Sequence, residues 1–230
     1  MILRKQSLPC WLFLAFVVAW PGVGNAQPAA PAYPIRGDDG RIVANHRVSP
    51  EAAGQVERLP GAVVVGNSKG DVTIAEFYDL NCPFCRRAAV DLDALLRADK
   101  GIRLVLLPYP VLGIPSILAA RVELAVARLA TPQQFFDFHR KIYEGRGVND
   151  SNRALAVAKE LGFDTGKLIE LANEPRTTET MKAHVRLGDS LGLVATPSYI
   201  IGETAIVGHP GRQALQRVVD SLRGCGRPVC

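Results

Sequence analysis

The sequence predicts an α/β fold in which a block of helices interrupts a scaffold of strands and helices. An apolar, β-branched run at residues 72–78 leads directly into a helical pattern that begins at Cys82. From about Pro115 to Leu191 the chain then carries helical periodicity without a strand pattern. A β pattern returns at Thr196 and a last helix follows, so two parts of one scaffold flank the helical block.

The first 26 residues are typical of a secretory signal peptide and are excluded from the fold. Arg4 and Lys5 form a basic start, residues 11–20 (WLFLAFVVAW) are uninterrupted apolar, and small residues lead up to Ala26. A membrane anchor is the alternative, but this run is shorter than the roughly 20 residues that cross a bilayer. We therefore expect cleavage near Ala26 and a periplasmic or secreted chain.

The composition is that of an ordinary globular protein, with 48% hydrophobic and 21% charged residues. The formal net charge is +5 without a long run of Lys or Arg, which gives no indication of nucleic-acid binding. Cys10 lies in the predicted signal peptide. The other four cysteines are an even number, as an oxidising compartment favours.

Residues 27–58 are rich in Pro and Ala at first and weakly patterned afterwards. They are predicted to be a leader, either flexible or an oligomerisation arm, with a short helix near residues 50–58. Residues 59–112 form the first part of the scaffold. Their strand candidates lie at residues 62–65, 72–78 and 102–107, with the helix from Cys82 before the last of them. A strand–helix–strand order predicts a right-handed βαβ unit.

Residues 113–192 are predicted to form the all-helical insertion. Aromatic side chains recur along one of its helices, and we interpret them as core rather than as a ligand site; they are Phe135, Phe136, Phe138 and Tyr143. Residues 193–224 complete the scaffold with a hairpin and a helix. Residues 225–230 are a short tail that contains Cys225 and Cys230.

The segment Cys82-Pro83-Phe84-Cys85 is the candidate reactive site. The first turn of a helix offers unpaired N–H groups and the positive end of the helix dipole, and both stabilise a thiolate. Pro83 suits the first helical position because it has no N–H to leave unpaired. Cys82 is expected to be a partly exposed nucleophile with a pKa below the usual value of about 8.5. Cys85, one turn further, is expected to be the buried partner that closes a disulfide.

Taken together, these elements resemble the DsbA-like family of thioredoxin-fold thiol:disulfide oxidoreductases. The matching segments cover about residues 60–223; they are GNSKGDVTIAEFYDLNCPFCRR, the block that starts at VLGIPSILAAR, and LVATPSYIIG. The resemblance implies a thioredoxin-like fold with an inserted all-helical domain. It also implies that Cys82 is the nucleophile, that Cys85 is the resolving cysteine, and that Pro197 is a cis proline opposite them.

Three further residues are candidates for the same site. Thr196 is expected to offer backbone groups to an extended substrate, because the proline after it has no N–H. Phe84, between the cysteines, is a candidate substrate contact. Glu76 lies six residues before Cys82 on an otherwise apolar strand. It is either an outward-facing strand residue or, as we favour because related folds carry an acid at this spacing, a buried carboxyl that moves protons for Cys85.

The resemblance also implies what the site exchanges disulfides with. The expected substrates are exported, unfolded or partly folded proteins with cysteines, a membrane partner re-oxidises or reduces the site, and no cofactor is needed. Strong oxidases of the family have His between the cysteines, whereas this chain has Pro83-Phe84. We expect a potential between about −120 mV, as in the strongest oxidases, and about −270 mV, as in thioredoxin. A dithiol oxidase is favoured, an isomerase or reductase is the alternative, and a homo-oligomer is left open.

Cys225 and Cys230 are predicted to form a local structural disulfide, because Gly226 and Pro228 let the short segment close. A second redox pair and an intermolecular link are the alternatives. Two other classes of function are less favoured. Four cysteines at these spacings are a weak match to a zinc site, and a non-catalytic thioredoxin-like binding or chaperone module need not keep both cysteines of the reactive site.

Overall fold

The structure is a computed structural model and describes residues 30–230. The predicted signal peptide and its cleavage near Ala26 lie outside the described residues and stay predictions. Within residues 30–230, none of the helices combines the length and the apolar character needed to cross a membrane.

Six strands and eight helices are formed by residues 30–230. The strands are β1 (Asn45–Arg47), β2 (Val63–Gly66), β3 (Val72–Tyr78), β4 (Ile102–Pro108), β5 (Ser198–Ile201) and β6 (Thr204–Val207). The helices are α1 (Pro50–Ala53), α2 (Pro83–Ala98), α3 (Ile114–Leu129), α4 (Pro132–Glu144), α5 (Ser151–Glu160), α6 (Thr165–Asn173), α7 (Pro175–Ser190) and α8 (Arg212–Cys225). The predicted α/β fold with inserted helices is confirmed.

The strands form one mixed sheet in the order β1-β6-β5-β3-β4-β2. β3 and β4 are parallel and are joined by α2, which confirms the predicted βαβ unit, and every other neighbouring pair is antiparallel. β3 is central, with Glu76 opposite Leu106 on β4 and opposite Tyr199 on β5. Both central strands are mostly apolar and almost fully buried, as expected for strands that are covered on both faces.

Each face of the sheet has its own core, because side chains alternate along a strand. On one face Ile74 and Tyr78 of β3 join residues of α2, α8 and helices of the insertion. On the other face Ala75 and Phe77 pack with Leu187 of α7. Glu76 shares the first face with Ile74 and Tyr78, so its side chain is directed toward the same helices as the reactive site.

The insertion between β4 and β5 consists of helices only, α3 to α7, as predicted. The aromatic residues of α4 are all buried, which confirms that they belong to the core; they are Phe135, Phe136, Phe138 and Tyr143. Thr131 and Gln134 form a reciprocal cap at the start of this helix. The buried aromatic residues and this cap both stabilise α4.

From residue 30 onward, the segment predicted as a leader at residues 27–58 packs onto the sheet instead of being flexible, and its role as an oligomerisation arm stays a prediction. Ile35 is buried, and β1 pairs with β6 at the edge of the sheet. The Asn45 side chain accepts a hydrogen bond from the backbone N–H of Tyr33 at 2.9 Å and donates one to its carbonyl oxygen at 2.8 Å. A three-residue edge strand held by one amide side chain leaves almost no hydrophobic pattern in the sequence. The short helix expected near residues 50–58 corresponds to α1.

Candidate active site

The reactive segment lies where β3 ends and α2 begins. Cys82 is the residue that precedes the first turn of α2 and has an extended backbone, and Pro83 is the first helical residue. The backbone N–H of Cys82 donates to the carbonyl oxygen of Asp79 at 3.0 Å, which closes the turn between strand and helix. Cys82 is thus placed at the positive end of the helix dipole.

Asp79, which we did not single out from the sequence, holds this turn. Its carboxylate accepts hydrogen bonds from the backbone N–H of Asn81 at 2.8 Å, the hydroxyl of Ser116 at 2.7 Å and the backbone N–H of Leu112 at 2.9 Å. Asp79 is 1% exposed. One buried carboxylate therefore joins the reactive turn to the start of the helical insertion.

A second link uses the side chains of Asn81 and Asn149. Asn81 donates to the carbonyl oxygen of Asn149 at 2.8 Å and accepts from its backbone N–H at 2.7 Å. The side chain of Asn149 in turn donates to the carbonyl oxygen of Leu80 at 2.6 Å. These reciprocal amide contacts hold the turn against the segment that precedes α5, so its position depends on both parts of the fold.

Cys82 lies against the loop that precedes β5. Its thiol donates to the carbonyl oxygen of Thr196 at 3.1 Å, and the residue is only 5% exposed, less than the partial exposure that the sequence predicts. The reason is that the Thr196–Pro197 loop comes from the other half of the chain. The pKa of Cys82 is nevertheless lowered to about 5, because hydrogen bonds from the side chain of Cys85, then from the side chain of Thr196 and from backbone N–H groups, stabilise the thiolate and outweigh the effect of burial.

Cys85 has the opposite environment. It is fully buried, and burial raises the pKa of its thiol far above the usual value. Its sulfur lies 3.5 Å from the backbone N–H of Asp79, and it is not bonded to Cys82 in this structure. The two thiols of one short motif therefore differ sharply: the first is stabilised as a thiolate and the second is kept protonated.

The predicted substrate residues lie around Cys82. The peptide bond between Thr196 and Pro197 is cis, as the resemblance implies. Phe84 is 60% exposed and Val194 is 88% exposed. Leu112 and Ile114, which follow β4, are also exposed apolar residues, and they lie at the same edge of the sheet as Cys82 because β3 and β4 are parallel. An apolar surface therefore borders the thiol.

Glu76 is buried beside this pair rather than directed outward. It is 1% exposed, and its Oε2 atom has no hydrogen-bond partner among the residues the structure describes. The pKa of Glu76 is raised to about 8, first by burial and then by the negative charges of Glu123 and Cys82. A carboxyl group with this pKa can exchange protons near neutral pH.

Glu123 of α3 and His139 of α4 are buried near Glu76, and neither was predicted from the sequence. Nδ1 of His139 lies 3.1 Å from Oε1 of Glu123, and both side chains are almost fully buried. The ring of His139 also contacts the ring of Tyr78, with centroids 4.4 Å apart. The available signal was a lone acid in an apolar helix and a lone His among the aromatic residues of α4, neither of which indicates its partner.

Cys225 and Cys230 are bonded to each other, at the exposed end of α8. Cys82 and Cys85 form a separate, unbonded pair. Within residues 30–230, no group of three or more His, Cys, Asp or Glu side chains is arranged to hold a metal ion. The four cysteines are thus distributed over two places in the fold.

The comparisons with known proteins agree with this geometry. A family model described as thioredoxin matches residues 58–221. A thioredoxin-like oxidoreductase from Silicibacter pomeroyi is 32% identical with a TM-score of 0.70, over 77% of this chain and 99% of its own. The thiol-disulfide exchange protein alpha-DsbA2 from Wolbachia pipientis is 25% identical with a TM-score of 0.67, over 75% and 95%.

A periplasmic thioredoxin-like protein from Salmonella enterica is 24% identical with a TM-score of 0.67, over 76% of this chain and 98% of its own, and shows the fold alone. No curated protein sequence matches the chain with significance.

Proposed function

This chain belongs to the thioredoxin family of thiol:disulfide exchange enzymes, and we propose that it is a dithiol oxidase of exported proteins. The observation that carries the proposal is the difference between the two thiols. The pKa of Cys82 is lowered to about 5, whereas burial raises that of Cys85 far above its usual value. A stabilised Cys82 thiolate favours the reduced form of the site, and this makes its disulfide a stronger oxidant.

The proposed reaction starts from the Cys82–Cys85 disulfide. A substrate thiolate attacks the sulfur of Cys82, the bond to Cys85 breaks, and Cys85 leaves with the electron pair and takes up a proton. A second substrate thiolate then attacks the substrate sulfur of this mixed disulfide, and Cys82 leaves as a thiolate. The substrate dithiol is oxidised to a disulfide, and the disulfide of the enzyme is reduced to a dithiol.

The surroundings of Cys82 suit a polypeptide substrate. The backbone of Thr196 lies at the thiol, and Pro197 leaves this backbone free of competing N–H groups, so an extended segment can pair with it. Phe84 and the exposed apolar residues near it offer contacts to side chains that a folded protein would bury. An unfolded or partly folded protein with cysteines fits this combination.

The proposal extends to compartment and partners. The predicted signal peptide places the chain in the periplasm or outside the cell, where disulfides persist. Each turnover leaves a dithiol at Cys82 and Cys85, so an oxidant must take up the two electrons, and a membrane redox partner is the proposed one. The exposed Cys225–Cys230 disulfide is assigned a structural role, because it fastens the segment that carries the buried Pro228 back to α8.

The experiment is the equilibrium of the Cys82–Cys85 pair with glutathione buffers, in a chain that carries Cys225→Ser and Cys230→Ser so that only one pair titrates. A midpoint above about −150 mV supports a dithiol oxidase. A midpoint below about −200 mV contradicts it and supports the alternative, an isomerase or reductase that works from the reduced state. The variant with Cys82→Ser added gives the background.

A further inference from the structure

Glu76 on β3 and Glu123 on α3 bring two carboxyl groups into one buried region next to the reactive cysteines. Glu76 is 1% exposed and Glu123 is fully buried. The negative charge of Glu123 is, after burial, the largest cause of the raised pKa of Glu76. Two carboxylates that share a buried site cannot both ionise easily, so one of them keeps a proton near neutral pH.

The hydrogen bonds distinguish the two acids. Glu123 has a partner, since Nδ1 of His139 lies 3.1 Å from its Oε1 atom. A carboxylate only accepts, so Nδ1–H of His139 donates when Glu123 is ionised. The Oε2 atom of each acid has no hydrogen-bond partner among residues 30–230, so the contact of His139 with Oε1 is what distinguishes Glu123 from Glu76. A hydrogen-bond donor stabilises the charged form of the acid it reaches, which favours the negative charge on Glu123 and the proton on Glu76.

No other side chain around the cluster favours the opposite arrangement, with the proton on Glu123 and the negative charge on Glu76. Besides Glu123 and His139, the titratable groups around Glu76 are thiols and phenols. They are Tyr78 on β3, Cys82 and Cys85 at the start of α2, Tyr143 on α4 and Tyr199 on β5. None of the buried polar residues in the described part of the chain is Lys or Arg. Within residues 30–230, no buried Lys or Arg is therefore available to stabilise the ionised form of Glu76.

His139 is held in place by the aromatic residues of the core. Its ring meets the ring of Tyr78 edge-on at 4.4 Å and that of Tyr143 edge-on at 5.3 Å, and it is stacked at 6.4 Å from Phe136. Tyr143 in turn donates to the carbonyl oxygen of Asp79 in the reactive turn, at 3.1 Å. The donor nitrogen is thus kept toward Glu123 by the same packing that positions the site.

We propose that Glu123 and His139 are positioning residues for disulfide exchange: they hold the negative charge on Glu123 and so keep on Glu76 the proton that Cys85 takes up. This inference rests on the proposed function. When a substrate thiolate attacks Cys82, Cys85 leaves with the electron pair of the broken S–S bond. Glu76 then gives its proton to the Cys85 sulfur, becomes a carboxylate and is later reprotonated from water. The helical insertion thereby takes part in the chemistry.

The test measures the ionisation of Glu76 directly, by carboxyl ¹³C NMR titration of the reduced protein, with Glu76→Gln to assign its signal. Glu123→Gln keeps the shape of the side chain and removes its charge, and we expect it to lower the pKa of Glu76 by about one pH unit or more. His139→Leu removes the donor and is expected to lower the pKa of Glu76 as well, because the proton can then reside on Glu123. His139→Asn, which keeps a donor at the same branch, should remain close to the unsubstituted chain.

The matched control is Glu160→Gln, which removes one charge from an exposed position of the same insertion. It should leave the pKa of Glu76 unchanged. A pKa of Glu76 that stays the same in a folded Glu123→Gln variant overturns the proposal. If that variant does not fold, the unsubstituted reduced protein still decides, because infrared spectra at neutral pH must show Glu76 protonated and Glu123 ionised. The reverse assignment also overturns the proposal.

A kinetic measurement separates a positioning role from a structural one. We expect Glu123→Gln and His139→Leu to slow the attack of a model dithiol peptide on the oxidised enzyme, with the pH profile displaced to lower pH. A merely structural pair would lower the midpoint of urea unfolding and leave the pH profile in place. If the cysteine pair exchanges with no dithiol at all, the proposed function fails, whereas the NMR titration still decides which acid holds the proton.

Discussion

The sulfur of Cys82 lies 3.1 Å from the backbone carbonyl oxygen of Thr196, although the two residues are 114 positions apart in the chain. This contact joins the two parts of the scaffold that the helical insertion separates. It places the cis Thr196–Pro197 bond directly at the nucleophile. Cys82 is only 5% exposed beside this loop.

Cys82 should titrate as a thiolate at about pH 5, followed through the ultraviolet absorbance of the thiolate in the reduced protein. The hydrogen bond from Cys85 is the largest cause of the lowered pKa of Cys82. Cys85→Ala should therefore raise this pKa toward the usual value. The pKa of Cys82 is lower in the folded than in the unfolded protein, so its thiolate stabilises the reduced fold. This stabilisation is complete above about pH 9 and is lost as the pH falls through about 5. A titration midpoint near 8.5, the usual value, contradicts the geometry at Cys82.

Cys85→Ser should trap a covalent complex between Cys82 and a substrate thiol. The variant cannot resolve the mixed disulfide, because the second sulfur is missing. The measurement is mass spectrometry after incubation with a peptide disulfide, in the chain with Cys225→Ser and Cys230→Ser. Cys82→Ser in the same background is the control and should form no adduct. An adduct that forms on Cys85 instead would reverse the assignment of nucleophile and resolving cysteine.

Glu76→Gln should stabilise the reduced protein increasingly as the pH rises. The pKa of Glu76 is raised from 4.5 in the unfolded chain to about 8, so its contribution is fully favourable below about pH 4.5 and is lost as the pH rises through 8. The variant avoids this loss, and its advantage in the free energy of unfolding should reach on the order of a few kcal/mol at pH 8. Urea unfolding at pH 5 and pH 8 tests this. If the free energies of unfolding of the variant and the unsubstituted chain differ by the same amount at pH 5 and pH 8, Glu76 does not titrate in this range.

Asp79→Ala should destabilise the protein by about 3 kcal/mol and slow disulfide exchange. The substitution leaves three donors without their acceptor. They are the backbone N–H of Asn81 in the reactive turn, the backbone N–H of Leu112 in the loop after β4 and the hydroxyl of Ser116. Asp150→Ala is the matched control, because it removes only the cap of α5 and should cost about 1 kcal/mol without affecting exchange. Urea unfolding and the exchange rate with a dithiol peptide are the measurements. Equal exchange rates in the two variants would show that Asp79 does not position the turn.

The parts of the fold that the sequence predicts well are those determined by local patterns. The apolar run of β3 and the buried face of α2 lie next to each other in the chain, and Cys85, Leu92 and Leu95 fall on that face as predicted. Helical periodicity without a strand pattern located the insertion, whereas the resemblance to the DsbA-like family, confirmed by the comparisons, supplied the cis proline. β1 was missed because a short edge strand needs neither strong propensity nor alternation.

The parts of the site that escaped prediction depend on contacts between distant segments. The sequence analysis assigns Thr196 to the site, but nothing in the segment around Cys82 indicates that Thr196 covers its sulfur. Glu123 and His139 are on different helices of the insertion, and each alone looks like an isolated polar residue in a core helix. Asp79 follows a buried strand directly, and its three donors come from two separate segments. Pairings of this kind arise only when the chain is folded.

The position of β5 in the sheet determines how long one edge of β3 stays unpaired during folding and so can aggregate. β3 and its neighbour β4 are close in the chain, whereas the other edge of β3 pairs with Ser198–Ile201, beyond the whole helical insertion. Until that pairing forms, the apolar Ile74–Phe77 segment is an open edge that another chain can join. Long-range pairing of this kind is also slow. A chaperone that shields nascent strands therefore matters more to this enzyme than to a protein whose central strands are neighbours in sequence.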